Sequence, residues 1–101
     1  MEKEVFSNRL SRLRMNKGVS ARDMSLSIGQ SAGYINNIEN GVNYPSMQAF
    51  FYICDYLGVT PREFFDTENQ DPGRLADITE KLKGLSAAQL QLIEQMIDNM
   101  K

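Results

Sequence analysis

Residues 17–41 have the sequence KGVSARDMSLSIGQSAGYINNIENG, which contains two short helical patterns separated by a glycine. In the first pattern, Met24 and Ile28 are four residues apart and share one helix face. Ser20 precedes them and is a residue type that caps helix N-termini. Gly29 is predicted to end this helix, because glycine readily adopts the left-handed conformation that closes a helix.

The second pattern predicts a helix over about residues 31–40. Ser31 is its predicted N-cap, Ile35 and Ile38 form its apolar face, and Gly41 ends it. Two short helices joined by a three- or four-residue turn that contains glycine are typical of a helix-turn-helix. This pair of helices is by itself weak evidence for a helix-turn-helix, so the interpretation depends on the flanking sequence.

The sequence on either side of residues 17–41 predicts three more helices. The first helix has an apolar face at positions 6, 10 and 13 and ends at Gly18. Ser46 caps the fourth helix, and Thr60-Pro61-Arg62-Glu63 is a strong start for the fifth. Phe64 and Phe65 are predicted to be core residues of the fifth helix. The predicted inward face of the fourth consists of Met47, Phe50, Phe51, Cys54 and Leu57. No segment alternates as a strand does, so the predicted class is all-α.

The chain resembles the phage repressor and Cro family of helix-turn-helix regulators, also called XRE-like. The resemblance covers residues 5–66, about 60% of the chain. It rests on Lys17-Gly18, Gly29, Ile38-Glu39-Asn40-Gly41, Pro45-Ser46 and Leu57-Gly58-Val59-Thr60-Pro61. It implies a lambda-repressor-like bundle of five helices that binds DNA, here with a C-terminal extension of two helices.

The same resemblance implies which residues contact DNA. The third helix would enter the major groove, with the second helix across the backbone. The implied base-contacting positions are Gln30, Ser31, Ala32, Gly33, Asn36 and Asn37. The implied backbone-contacting positions are Ser20, Ala21, Arg22, Asn40, Asn43 and Ser46. Arg9, Arg14 and Lys17 are added as predicted backbone contacts because phosphate binding needs positive charge, and Tyr44 because it lies in the loop after the third helix.

Arg14 and Glu39 match a family pair that bridges the first and third helices, so Arg14 has both a structural and a DNA-binding interpretation. The chain also departs from the family pattern. Ala21 stands where glutamine is frequent, and Ser25 stands where alanine is usual, although its hydroxyl can bond back into its own helix. Gly33, like its neighbour Ala32, has no side-chain group that could hydrogen-bond to a base.

Charge is distributed unevenly along the 101 residues. The net charge is −2 and the pI is about 5.0, which is unusual for a protein that binds nucleic acid. Residues 1–22, however, carry six basic and two acidic side chains, a net charge of +4. Residues 23–71 carry seven acids and only Arg62, a net charge of −6. Because of this basic N-terminal segment, the negative net charge of the chain does not exclude DNA binding.

The amino-acid composition also limits the kinds of catalytic and metal-binding site that the chain could form. The chain has no histidine and one cysteine, which excludes an internal disulfide and a thiolate metal cluster. No catalytic constellation is visible, so we expect neither an enzyme nor a cofactor. The N-terminus lacks the apolar core of a signal peptide, and no apolar run approaches the ~20 residues of a membrane span. These features predict a cytoplasmic protein.

The C-terminal third is predicted to form a linker over residues 67–73 and a helical hairpin over residues 74–101. A hairpin this small has too little core to be stable alone, so it must pack on its own domain, a second copy or another regulator. The predicted dimerisation residues are Leu75, Ile78, Leu82, Leu90, Ile93, Met96 and Ile97.

Together these features predict a sequence-specific DNA-binding transcriptional regulator of bacterial or phage type. The expected form is a repressor that acts as a homodimer on a palindromic operator. The alternative is a helix-turn-helix fold used as a protein-interaction module, with an antitoxin-like or anti-repressor role. That alternative arises because no lysine or arginine occurs between Asp23 and Pro61.

Overall fold

The computed structural model describes all residues, 1–101, and contains seven helices and no strand. The helices are α1 Lys3–Lys17, α2 Ala21–Ser27, α3 Tyr34–Glu39, α4 Met47–Leu57, α5 Pro61–Phe65, α6 Pro72–Lys83 and α7 Ala87–Met100. The all-α class predicted from the sequence is confirmed. The elements α1–α5 follow the predicted order of the helix-turn-helix and its flanks.

A single core holds α1–α5 together. Helix α1 packs against α3, α4 and α5, and α2 packs against α3. Phe64 of α5 is fully buried, with its ring centroid 5.0 Å from that of Phe6 and 5.1 Å from that of Phe50. The core consists of Phe6, Leu10, Leu13, Met24, Ile35, Ile38, Phe50, Ile53, Cys54, Leu57, Val59 and Phe64.

The predicted helix starts at Ser20, Ser46 and Thr60 are confirmed. The hydroxyl of Ser20 accepts a hydrogen bond from the backbone N–H of Asp23, and Ser46 caps α4 in the same way. Thr60 and Glu63 form a complete capping box at α5. Each of these bonds satisfies a backbone N–H that the first turn of a helix leaves without a partner.

The predicted inward face of α4 is partly wrong. Met47 and Phe51 are exposed, at 69% and 49%, and so is Phe65 of α5 at 46%. The buried face is centred on Ile53, and Met47 and Phe51 are rotated to its flank because 3.6 residues make one turn. The Phe51 and Phe65 rings instead cover Phe50 from outside, at centroid distances of 6.1 and 5.4 Å.

The predicted hairpin of α6 and α7 is not formed within the chain. No packed pair of helices includes either of them, and α7 has no buried residue. Gly84, between them, has φ −85° and ψ 0°, a right-handed conformation. Gly29, by contrast, has φ +80° at the turn between α2 and α3. The apolar stripes of α6 and α7 do not pack against each other along their lengths.

The predicted linker is shorter than expected. Pro72 and Gly73 belong to the first turn of α6, and Pro72 is fully buried. Asp71 caps α6 by accepting a hydrogen bond from the N–H of Arg74 at 3.2 Å. The segment without regular structure therefore spans only residues 66–71.

Candidate nucleic-acid interface

The outer face of α3 presents two side-chain amides. Ile35 and Ile38 are fully buried, which fixes the rotation of this six-residue helix about its axis. Asn36 and Asn37 lie on the opposite face and are exposed. An asparagine amide can form a bidentate pair with adenine. The two asparagines are therefore free to contact a surface outside the chain.

The predicted capping of α3 by Ser31 is wrong. Helix α3 begins at Tyr34, three residues later than expected, and Gly33 at its N-cap has no side chain to offer. The backbone N–H of Ile35 donates instead to the Oγ of Ser25 at 3.0 Å. Ser25, which is fully buried, also donates to the carbonyl of Ala21 at 2.7 Å, as its hydroxyl was predicted to do. A residue of α2 thus takes the place of the missing cap.

The later start of α3 changes the positions of two implied base-contacting residues, Ala32 and Gly33, which lie in the turn between α2 and α3 rather than on a helix. Gln30 and Ser31 also lie in this turn. Ser31 and Gly33 are exposed, whereas Gln30 and Ala32 are half-buried. Only Asn36 and Asn37 of the six lie within α3 itself.

Helix α1 holds α3 from behind through polar contacts. The Nε and Nη2 of Arg14 donate to the two carboxylate oxygens of Glu39 at 2.7 and 2.9 Å, a bidentate pair. Its Nη1 donates to the carbonyl of Val19 at 2.8 Å. The hydroxyl of Ser7 donates to the carbonyl of Ile38 at 2.6 Å. The bond to Glu39 raises the pKa of Arg14 above its usual value. All three nitrogens of this guanidinium are engaged within the chain, so the structure favours the bridging role of Arg14 over contact with a phosphate.

The predicted contact of Arg9 with a DNA phosphate is wrong. Arg9 is only 5% exposed, and its guanidinium donates to the backbone carbonyls of Glu63, Phe64 and Asp66 at 2.6–2.8 Å. These carbonyls lie at the C-terminal end of α5, where helical carbonyls lack intrahelical partners, and that of Phe64 has no backbone donor. Burial lowers the pKa of Arg9 from its usual value. Arg9 is a structural residue that joins α1 to α5.

Three cations of the N-terminal segment are exposed and form no ion pair within the chain. Arg22, in the first turn of α2, is exposed, and so is Lys17, whose ammonium lies 5.0 Å from the ring centroid of Tyr56. Lys3, which the sequence pattern did not single out, lies 5.9 Å from the ring centroid of Tyr44. The Tyr44 hydroxyl donates to the carbonyl of Met1 at 2.7 Å, so the loop after α3 is tied to the start of the chain.

The remaining implied backbone contacts are mostly exposed. Asn40 and Asn43 are exposed, and the Asn43 amide donates to the carbonyl of Tyr44 at 3.2 Å. Ser20 and Ser46 are also exposed, although their hydroxyls serve as helix caps. Ala21 is half-buried.

Cys54, the single thiol, lies in the core. Burial raises the pKa of its thiol to about 11, so little thiolate forms near neutral pH. Thiolate is the nucleophilic form, which makes Cys54 an unreactive packing residue. No cluster of three or more histidine, cysteine, aspartate or glutamate side chains is present. None of the seven helices has both the length and the apolar character needed to cross a bilayer.

The sequence that includes α2, α3 and the turn between them matches a known family. A family model described as helix-turn-helix matches residues 10–64, more than half of the chain. The chain belongs to this family. Searches of the curated proteins and of the solved structures found no match.

Membership in the helix-turn-helix family assigns the general role. The matched segment runs from Leu10 in α1 to Phe64 in α5, so it includes α2, α3 and the core that supports them. The chain is a DNA-binding transcription regulator in this general sense, as the XRE-like pattern predicted. Helices α6 and α7 lie outside the match.

Proposed function

We propose that the protein is a sequence-specific repressor that binds a palindromic operator as a homodimer in the cytoplasm of a bacterium, where the DNA lies. The exposed pair Asn36 and Asn37 carries this proposal. These side chains sit on a short helix that the Arg14–Glu39 pair and Ser25 hold rigidly to the rest of the domain. A recognition element needs this rigidity, because base-edge hydrogen bonds depend on accurate placement.

Residues 1–66 form the DNA-binding domain in this proposal, residues 67–71 link it to α6, and α6 and α7 dimerise. The exposure of the C-terminal apolar side chains supports the dimer. Ile78 is 46% exposed and Met96 is 60% exposed, although both lie on apolar helix stripes. The proposed dimer contacts are Leu75, Ile78, Leu82, Leu90, Ile93, Met96 and Ile97. A second copy would bury both stripes, and a two-fold dimer matches a palindrome.

The small number of free cations sets the expected strength of binding. Arg9 and Arg14 are bound within the domain and Arg12 is bound to Gln70, which leaves Lys3, Lys17 and Arg22 of the six basic side chains to neutralise phosphates. Each neutralised phosphate adds about 0.9 to the steepness of the salt dependence. Six cations per dimer therefore limit the slope of log K against log salt to about −5. Binding by one protomer would be weak, so operator occupancy would require the dimer.

Selection of bound DNA from a random library, combined with the mass of the protein in solution, tests the proposal. A palindromic consensus and a dimeric mass are the expected results. Asn36→Ala and Asn37→Ala should each relax one position of the consensus by about 1–3 kcal/mol. Gln91→Ala removes an amide from the polar face of α7 and should leave the consensus unchanged. No enriched sequence would contradict the proposal.

The charge distribution favours one alternative, a protein-interaction module of antitoxin-like or anti-repressor type. No lysine or arginine occurs between Asp23 and Pro61. Two arginines of the basic N-terminal segment, Arg9 and Arg14, are hydrogen-bonded within the domain. A module of this kind would bind another regulatory protein, and any association with DNA would lack a sequence preference. The same selection experiment separates the two functions.

A further inference from the structure

The segment between the two parts of the chain is attached to α1. The Nε and Nη2 of Arg12 donate to the side-chain carbonyl oxygen of Gln70 at 3.0 and 2.7 Å. The side-chain amide of Asn16 donates to the backbone carbonyl of Gln70 at 2.7 Å. We call these bonds between Arg12, Asn16 and Gln70 the linker contact.

The linker contact continues the buried contacts of Arg9. Positions 9, 12 and 16 follow the i, i+3, i+7 spacing of one helix face, and Arg9 holds the carbonyl of Asp66 at 2.8 Å. The chain from 66 to 70 is thus bound to α1 at both ends. Asp71, the next residue, already caps α6.

Helix α1 therefore connects the recognition helix with the start of α6. Arg14 and Ser7 bind α3, whereas Arg12 and Asn16 bind the residue that precedes the cap of α6. A displacement of α6 relative to α3 would have to break the linker contact. The orientation of α6, and of a dimer built on it, is coupled to the position of α3.

We propose that Arg12, Asn16 and Gln70 are positioning residues that set the spacing between the two operator half-sites. The proposal rests on the proposed function, namely DNA binding by a dimer joined through α6 and α7. Each added base pair moves the half-sites apart by about 3.4 Å and rotates one about the DNA axis by about 34°. A dimer whose two DNA-binding domains are rigidly connected can therefore bind both half-sites at only one spacing.

A free linker would not give this selectivity. An unattached flexible chain of about six residues, the length of segment 66–71, has a root-mean-square span of about 13 Å, the length of about four base pairs. Such a linker would let each domain find its half-site over several spacings. The linker contact removes this freedom, and it does so without touching DNA.

The test uses the full chain and the palindrome selected by the wild-type protein, with its central spacer changed by one and two base pairs. Wild-type affinity should fall about tenfold or more for one base pair. Gln70→Ala and Asn16→Ala each remove part of the linker contact and should weaken this dependence, and the double variant, which removes all of it, should flatten the profile to less than about threefold. Affinity for a single half-site and the dimeric mass should not change, because these residues contact neither DNA nor the partner.

Two further variants control the test. Gln70→Glu keeps an acceptor oxygen for Arg12 and should retain the wild-type spacing profile. Asn8→Ala removes an exposed amide of α1 outside the linker contact and should also retain it. Circular dichroism and thermal melting verify that each variant is folded.

Two results would overturn the inference. If folded Gln70→Ala and Asn16→Ala dimers keep the steep wild-type profile, the linker contact does not set the spacing, while the proposed function stands. If the wild-type protein selects no palindrome or is monomeric, the proposed function and the inference fail together. The first result appears only in the variants, and the second appears already in the wild-type protein.

Discussion

The five-helix domain and the two C-terminal helices are built from the same local features but differ in what covers their apolar faces. Helices α5 and α7 both begin with a complete capping box, and both carry large apolar side chains. Phe64 of α5 is fully buried, whereas Ile97 of α7 is 42% exposed. Caps and periodicity define a helix, but only a partner surface makes its apolar face stabilising. The C-terminal region is therefore complete in secondary structure and incomplete in packing.

The polar contacts of the two regions differ in the same way. In the domain, Ser7, Arg9 and Ser25 are buried, and each is hydrogen-bonded to the backbone of another helix or its flank. In the C-terminal region, the ion pairs join residues three apart on one helix, as in Lys83–Glu80 at 2.8 Å. Exposed pairs of this kind contribute little to stability. The domain specifies its own tertiary structure, whereas α6 and α7 depend on a partner.

Truncation after Asp71 separates the two regions most directly. The truncated chain should be monomeric, and its affinity for a palindrome should fall by a factor of about 100 or more, because two linked half-sites are replaced by one. Its melting temperature should stay within a few degrees of the full chain, since only Pro72 is buried among the residues removed. Sedimentation and DNA titration measure both effects. A truncated chain that kept its dimeric mass would show that α1–α5 contain the dimer interface.

Replacement of Arg9 tests the claim that the domain depends on buried polar contacts. Arg9→Ala leaves the buried carbonyl of Phe64 without a donor, removes the bonds to the carbonyls of Glu63 and Asp66, and should cost about 3 kcal/mol or more of unfolding free energy. Urea denaturation measures this loss. Arg22→Ala removes an equal charge from an exposed site and should change stability by less than about 0.5 kcal/mol. If Arg9→Ala lowered DNA affinity at unchanged stability, Arg9 would be a phosphate contact after all.

The Arg14–Glu39 pair should follow with a smaller effect. Arg14→Ala should cost about 2 kcal/mol, since the pair is bidentate but not fully buried, with side-chain exposures of 17% and 10%. A double-mutant cycle with Glu39→Ala measures the coupling between the two side chains. The coupling should be favourable and should account for most of the loss. Unchanged thermal stability with lost DNA affinity would refute the bridging role.

The sequence predicts the features that depend on neighbours along the chain. Apolar spacing at positions 6, 10 and 13 of α1 and the start at Thr60-Pro61 identify their helices, because both depend on residues within one or two turns. The Arg14–Glu39 pair was accessible only through the family resemblance, since 25 residues separate its members. Asn36 and Asn37 were likewise placed by the family pattern, and the structure adds that they are exposed.

The features that the sequence did not predict depend on distant parts of the chain. In the sequence, Arg9 and Arg22 both count as positive charges that could contact DNA. Arg9 is buried by contacts with carbonyls 54 to 57 residues away, which a count of charges cannot reveal. The exposed flank of α4, with Met47 and Phe51, cannot be told from its buried face when both are apolar.

The smallest predicted effect concerns the capping of α3 by a neighbouring helix. Ser25→Ala removes the only acceptor seen for the Ile35 N–H, and an unsatisfied buried donor costs about 1–3 kcal/mol. The expected loss lies near the lower limit, about 1 kcal/mol, because alanine is a good helix former in α2 and Ser31 can reorient to supply a cap.

The matched control is Ser27→Ala, which changes the same residue type in the same helix at an exposed position. It should alter stability by less than about 0.5 kcal/mol, so the difference between the two variants isolates the bond to Ile35. Hydrogen exchange of the Ile35 amide gives a second measure, because this N–H should exchange faster in Ser25→Ala and at the wild-type rate in Ser27→Ala. Equal stability and equal exchange in the two variants would mean that α3 is positioned by its apolar face and the Arg14–Glu39 pair alone.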